Sequence, residues 1–451
     1  MSNSEQTPAV RDDASNPTRV RWMVCLWLSA AAVIAYVSRT SIGVAEKTIR
    51  ESLQISEREM GLVMGPAFFW TYALAQIPTA WLGQRFGSRM MLVIFTAAGS
   101  ASVLLFGLAN SLTVLIVARM AMGISQAGTF PCATQSFARW NSSTERAVAS
   151  GILGGAMQAG QGIGMALTGV LIGIVGWRGT FLLFALPGIV WAAGFGIWFR
   201  NDPREHPSVN EAERRLIGSS VVAAEPADSG ADRHATPWWQ LVTSPAMWLI
   251  CAQQFFRAGG QVFFASWFAT YLQETRAVSL EQSAWLTALP VVTFMLATFV
   301  AGGVSDAILV RTGSLNQARK GVAMTSLALC AAIVAAAWFV DDPLLAVVII
   351  SAGMFMAGFA GPCAYAVTID VGGRNVPAVF ATMNMVGNLG AGLLAWVVPH
   401  FRQAIERPLA SSSDPVRASW DAVLLLFAGT YLAAALCWVW LRIEPDLLDH
   451  E

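Results

Sequence analysis

A helix needs about 20 mostly apolar residues to cross the hydrocarbon core of a bilayer, roughly 30 Å thick. This sequence supplies that unit again and again, at 22–43, 60–83, 90–109, 112–138, 147–173, 178–199, 245–272, 282–305, 319–340, 344–368, 376–399 and 420–441. With 55% of its residues hydrophobic and only 12% charged, the chain has too little polar surface for a water-soluble fold. In lipid every backbone polar group must be satisfied internally, and runs of this length do so as helices. The expected fold is an all-α membrane protein of twelve transmembrane helices.

The spans divide six and six around a polar stretch. Expected boundaries are a disordered cytoplasmic tail over 1–20, an N-terminal six-helix bundle over 21–199, a cytoplasmic linker over 200–244, a second six-helix bundle over 245–443 and a short tail over 444–451. Within the linker, Glu211-Ala-Glu-Arg-Arg215 has the composition of a short surface helix. With both termini inside, most of the 28 Lys and Arg fall on the cytoplasmic side, as the positive-inside rule requires. This predicts a multi-pass protein of the inner (plasma) membrane, with both termini cytoplasmic and the lipid bilayer as its standing partner.

Several classes of function are disfavoured at this stage. The formal net charge of zero points to no nucleic-acid partner. Six cysteines stand singly in apolar segments without C-x-x-C spacing, which fits packing better than disulfides or zinc. His206, His234, His400 and His450 fall in loops or at ends, without metal spacing or a paired nucleophile. Neither a metal, a cofactor nor an enzymatic activity is expected, and the chain reads as a monomer.

Polar side chains inside the spans carry the functional signal, because charge at bilayer depth is costly unless it faces a cavity and a partner. Arg39 lies in the first span, Arg119 in the fourth and Arg257 in the seventh. Gln126 follows Arg119 by seven residues, close to two helical turns, so both side chains share a face. Arginine stays charged when buried, and its fork fits a carboxylate or phosphate through paired hydrogen bonds. Asn384 and Asn388 also share a helix face at i and i+4. Trp70 and Trp267 sit in spans expected to line the pathway, whereas Trp22, Trp238, Trp239 and Trp420 suit an interfacial belt. The dense glycines around Gln158 and Gln161 suit close helix packing.

The halves also repeat. The loop after the second span carries Arg85-Phe-Gly87-Ser-Arg89, and the loop after the eighth carries Gly302-Gly-Val-Ser-Asp306 with Arg311 and Arg319 beyond. Duplicated halves are a mark of secondary transporters. Together with Tyr36-Val-Ser-Arg39, Trp70-Thr-Tyr72, Arg119 to Pro131, Gly176-Trp-Arg178, Asp202-Pro-Arg-Glu-His-Pro207 and Asn384-Met-Val-Gly-Asn388, these pieces resemble the major facilitator superfamily, and within it the anion:cation symporter family of sugar-acid and organic-anion transporters.

That resemblance implies two pseudo-symmetric six-helix bundles and alternating access. It implies substrate contacts at Arg39, Tyr72, Arg119, Gln126, Gln254, Asn384 and Asn388. Arg257 is unusual for the family; as the counterpart of Arg39 in the second half it resembles the paired arginines of organophosphate antiporters. Gating roles fall to Arg85, Arg89, Asp306, Arg311, Arg319 and Asp370. Where the family usually carries an Asp before the first arginine this chain has Ser38, and Gln126 stands in place of a Glu. Neither a hydroxyl nor an amide titrates in a useful range, so proton coupling by the family's usual route is in doubt.

The expected function is secondary active or facilitative transport of a small organic anion, a sugar acid or another carboxylate, with a coupling ion or counter-anion left open. The alternatives are an organophosphate or anion exchanger using Arg39 and Arg257, and a membrane ligand sensor that does not transport.

Overall fold

The structure is a computed structural model of the full chain, described here for residues 16–141, 146–221, 243–276, 278–372, 376–406, 408 and 414–443. The tails at 1–15 and 444–451 and most of the linker, with Trp238 and Trp239, lie outside the described residues.

The first half begins with α1 (Val20–Leu53), which at 1.5 Å per residue is about 51 Å long and projects beyond the hydrocarbon core. The second span is two helices, α2 (Glu57–Met64) and α3 (Pro66–Phe86). Ser56 and Glu59 form a reciprocal capping box that starts α2. Pro66 at the first turn of α3 fixes the break between the two. α4 (Ser88–Gly107) follows, then α5 (Leu112–Ala127) and α6 (Thr129–Trp140), which share the fourth span.

Next comes α7 (Arg146–Trp198), whose 53 residues would run about 80 Å if straight, far more than one bilayer. Gly176, at φ 70° and ψ 170°, turns the chain there and divides α7 into the fifth and sixth spans. In the linker α8 (Glu211–Val221) forms where the charged run predicts a helix. It is more than a surface element: Glu213 is fully buried and accepts hydrogen bonds from the Val20 and Arg21 main chain, 3.0 and 3.1 Å, and from the Arg21 guanidinium, 3.0 Å. The linker thereby caps the free N–H groups that open α1.

The second half contains α9 (Pro245–Ser266) and α10 (Phe268–Thr275) in the seventh span, α11 (Leu280–Thr312), α12 (Val322–Ala336), α13 (Pro343–Gly358) with α14 (Ala360–Gly372), α15 (Val376–Glu406) and α16 (Pro415–Trp440). Among the described residues ten helical segments are long and apolar enough to cross a membrane, and one of them is the hairpin turned by Gly176. With the α9–α10 pair, the count of spans reaches twelve. None of the six cysteines forms a disulfide, and five of them are buried, as packing residues are.

Each half packs mainly on itself: α1 and α4 against α7, α3 against α5, α9 against α15, α11 against α13, and α12 against α16. The halves meet where α3 and α2 lie on α15, and where α7 lies on α11. At the face opposite the chain termini the main chains touch. A Cβ added to Gly43 would lie 2.1 Å from the Ala265 carbonyl oxygen, and one on Gly65 2.4 Å from that of Gly392. The halves are closed at that face, and a cavity opens between them toward the other.

Candidate transport site

The cavity, of about 140 Å³, is lined from α1 by Leu28, Tyr36 and Arg39, from α3 by Tyr72, from the fourth span by Gln126 and Phe130, from the fifth by Leu153 and Met157, and from the second half by Tyr365, Phe380 and Asn384.

Arg39 is the cation of this space. Four aromatic rings surround its guanidinium: Phe68 at 4.7 Å, Phe69 at 4.9 Å, Tyr72 at 5.2 Å and Tyr36 at 5.4 Å. Tyr36 precedes it by one turn, and Phe68 and Tyr72 stack on each other as an i, i+4 pair on α3. Ring faces attract a cation without occupying its N–H donors. Among the described residues no carboxylate pairs with Arg39, so its planar fork is free to hold an anion.

Arg119 takes another place. It is 2% exposed and lies behind Phe68, with its guanidinium 4.6 Å from that ring, and Nε donates to the Val63 carbonyl at 3.3 Å. It is outside the lining of the cavity and adds positive potential through Phe68 rather than by contact. Gln126 does line the cavity, and its Nε2 donates to the Ala35 carbonyl at 3.2 Å, tying the fourth span to the first. Ser38 is not its partner, because the Ser38 hydroxyl donates to Ile34 of its own helix, 3.0 Å.

In the second half Arg257 is 5% exposed and donates twice to Gln254 Oε1, at 3.2 and 2.8 Å. Both side chains lie outside the cavity lining. Asn384 faces the cavity, whereas Asn388 donates to the Asn384 main-chain carbonyl at 2.8 Å. The tryptophans expected in the pathway act as ties: Trp70 donates to Leu389 across the halves, 3.2 Å, and buried Trp267 donates to Ala395, 2.8 Å.

The basic loops stay within their own halves. Arg85 lies over Trp81 and Phe86 of its own helix. Arg89 donates to the Gly196 carbonyl near the end of α7 at 3.0 Å. Arg319 joins Asp306 at 2.8 Å and Asp370 at 3.4 Å, and Arg311 is exposed on α11.

Sequence reasoning passed over the charged side chains of the closed face. Arg402 contacts Glu57 at 2.8 Å and Glu274 at 3.1 Å, while Arg50 contacts Glu46 and Glu274 at 2.8 Å each. Trp420, assigned to an interfacial belt, is fully buried here, with Arg402 above its ring and its N–H on Glu274. The available signal was the i, i+4 spacing of Glu46 with Arg50 and of Arg402 with Glu406.

A profile described as Major Facilitator Superfamily matches residues 28–395 and 250–450. Among curated proteins the chain is similar to a probable sulfoacetate transporter of Cupriavidus necator, 30% identical over 86% of this chain and 88% of the relative. It is also similar to the D-galactonate transporter of Escherichia coli O6:H1, 30% identical over 87% and 91%. A third relative, a probable galactarate/D-glucarate transporter of Bacillus subtilis, is 29% identical over 84% and 85%. Among solved structures, a bacterial homologue of the human lysosomal transporter Spinster, inward-facing and occupied, superposes with a TM-score of 0.76 at 19% identity, covering 94% of this chain and 97% of that one. A D-xylose–proton symporter gives 0.69 at 14% identity, covering 94% and 98%. Profile, relatives and fold agree with the twelve-span architecture, and the chain belongs to the major facilitator superfamily.

Proposed function

We propose that this transporter carries a small organic anion, a sugar acid or another small carboxylate, across the inner membrane by rocking the halves 21–199 and 245–443 about the cavity. The observation that carries this reading is Arg39, held by aromatic faces with its hydrogen-bonding edge uncommitted and no carboxylate in the cavity wall. The similarity to sulfoacetate, galactonate and glucarate transporters supports the same substrate class. With both termini cytoplasmic, the cavity is open to the cytoplasm and the closed face is the outer one.

Tyr72, Gln126 and Asn384 line the cavity beside Arg39, which supports a role for them in reading hydroxyls or a second polar end of the substrate. Gln126 and Ser38 carry no titrating proton, which favours facilitated movement or anion exchange over proton symport. Arg257 lies outside the cavity lining and donates to Gln254, which favours a site built on Arg39 alone over the arginine pair of the organophosphate reading.

The test is uptake by proteoliposomes of labelled galactonate, glucarate and sulfoacetate, with and without an imposed pH gradient. Saturable equilibrative uptake or counterflow of at least one anion, lost in Arg39→Ala, is expected. Uphill accumulation driven by the pH gradient would sink the uncoupled reading, and no movement of any anion would sink the substrate class.

A further inference from the structure

The closed outer face gathers six charged side chains into one hydrogen-bonded ring. Glu46 and Arg50 come from α1, Glu57 from α2, Glu274 from α10, and Arg402 and Glu406 from α15. Arg50 donates to Glu46 and to Glu274, 2.8 Å each. Arg402 reaches Glu57 at 2.8 Å, Glu274 at 3.1 Å and Glu406 at 2.6 Å. Neutral donors complete the ring: Thr270 to Glu46 at 2.6 Å, Trp420 to Glu274 at 2.9 Å and Ser419 to Glu406 at 3.0 Å. On α16 the neighbouring Asp421 turns away to Arg417, 3.8 Å. Among the described residues no third cation joins these contacts.

Two guanidiniums therefore face four carboxyl groups. The Glu46 side chain is 0% exposed and that of Arg402 6%, with Glu57 at 12% and Glu274 at 15%. Glu406, at 31%, reaches the rim, but surplus negative charge on the three more deeply buried carboxyls is costly, and the cheapest remedy is to bind protons. Electroneutrality is reached with two of the four carboxyls protonated. Because the groups are coupled through shared arginines, those protons belong to the ring and not to any one residue.

We infer that this ring is a proton-binding site of the outer gate, filled when the gate closes and emptied when it opens. Three contacts cross between the halves: Arg50 to Glu274, Arg402 to Glu57 and Thr270 to Glu46. Opening must break all three and admit water, and solvated carboxylates ionise. The pairs Arg50–Glu46 and Arg402–Glu406 lie within one half each and survive the movement. A state that binds more protons is favoured as pH falls. External acid therefore closes the outer face and holds the transporter open to the cytoplasm. The ring adds control of state beyond the carriage of an anion, and its protons return to the side from which they came.

The test places spin labels at two exposed positions of opposite halves, Glu51→Cys and Ala404→Cys, in a cysteine-free background in lipid nanodiscs. Electron–electron double resonance then reads the separation of the outer face from about pH 5 to about pH 8.5, a range spanning ordinary and buried carboxyl groups. The closed population is expected to grow toward acid, its ratio to the open one changing by about tenfold per pH unit for each proton bound. Glu57→Gln and Glu274→Gln each remove a titrating group and should flatten that slope; if one misfolds, the other carries the same test. An unchanging wild-type distribution, or a slope retained in both variants, overturns the inference. Arg402→Ala separates the two ideas. If it widens the outer face while the wild type ignores pH, the halves move but the ring does not sense protons; if nothing widens the face, alternating access itself fails.

Discussion

Arg39 and Arg119 hold their guanidiniums at 4.7 and 4.6 Å from a single ring, that of Phe68. One cation reaches the cavity and the other supports it from behind, so their replacements should differ in kind. Arg39→Lys removes the planar fork and is expected to weaken anion binding by about tenfold to a hundredfold, the range of a lost charge-assisted hydrogen bond. Arg119→Lys keeps the charge and, acting from behind Phe68 without touching the anion, should cost less than about tenfold. Titration calorimetry with the best anion of the uptake screen decides; equal losses would place Arg119 in direct contact with substrate.

Gln126 donates to Ala35, and that bond sets what a carboxyl group would do in its place. A Glu at this position keeps the contact with a carbonyl oxygen only while protonated, since an ionised carboxylate has no donor. The double variant Ser38→Asp with Gln126→Glu is therefore expected to add a pH dependence to exchange beyond whatever the outer gate gives the parent. Counterflow rates across a pH series check it. A profile in the double variant that matches the parent's would mean that proton coupling needs more than these two positions.

Gly43 packs directly on the Ala265 carbonyl, and a methyl group fits only if the halves part. Gly43→Ala should leave each half folded and shift the protein toward the outward-open state. Reduced uptake, with Glu51→Cys and Ala404→Cys labels moved apart, is the expected pair of results. Wild-type uptake and spacing would show that the closed face yields in some other way.

Glu213 links the linker helix to the start of α1. Burial opposes its ionisation, yet hydrogen bonds from Thr18, from the Arg21 and Val20 main chain and from the Arg21 side chain hold its carboxyl below the usual range. A carboxylate lowered in the folded state stabilises fully above its ordinary value, and that contribution fades as pH falls through the lowered one. Glu213→Gln is expected to lower the melting temperature at neutral pH, at a cost of about 1–3 kcal/mol. The gap to wild type should narrow in acid. A gap that stays constant with pH would assign the effect to packing alone.

The spans were legible in the sequence because lipid imposes a length and a polarity that few other environments demand. Their interruptions were less so. The fourth span reads as one run over 112–138, yet α5 ends at Ala127 and α6 begins at Thr129. The first span was expected to stop near residue 43, where hydropathy falls, yet α1 continues to Leu53, and Glu46 and Arg50 support each other on that last stretch. The gate ring was lost for that reason: residues assigned to loops were in fact helical and buried against the other half. Arg39 and Gln126 could be placed on the correct helices, but a neighbour such as Ala35 offers only its main chain, and no side-chain pattern announces a carbonyl.

The contacts of Gly43 with Ala265 and of Gly65 with Gly392 have one more consequence. A plug made of side chains can flicker open as single rotamers change, letting water and ions slip through. Here the obstruction is the polypeptide backbone itself, and it can be removed only by displacing whole helices. Leakage past this barrier is therefore tied to the same large movement that carries cargo, so a resting transporter stays tight to small ions.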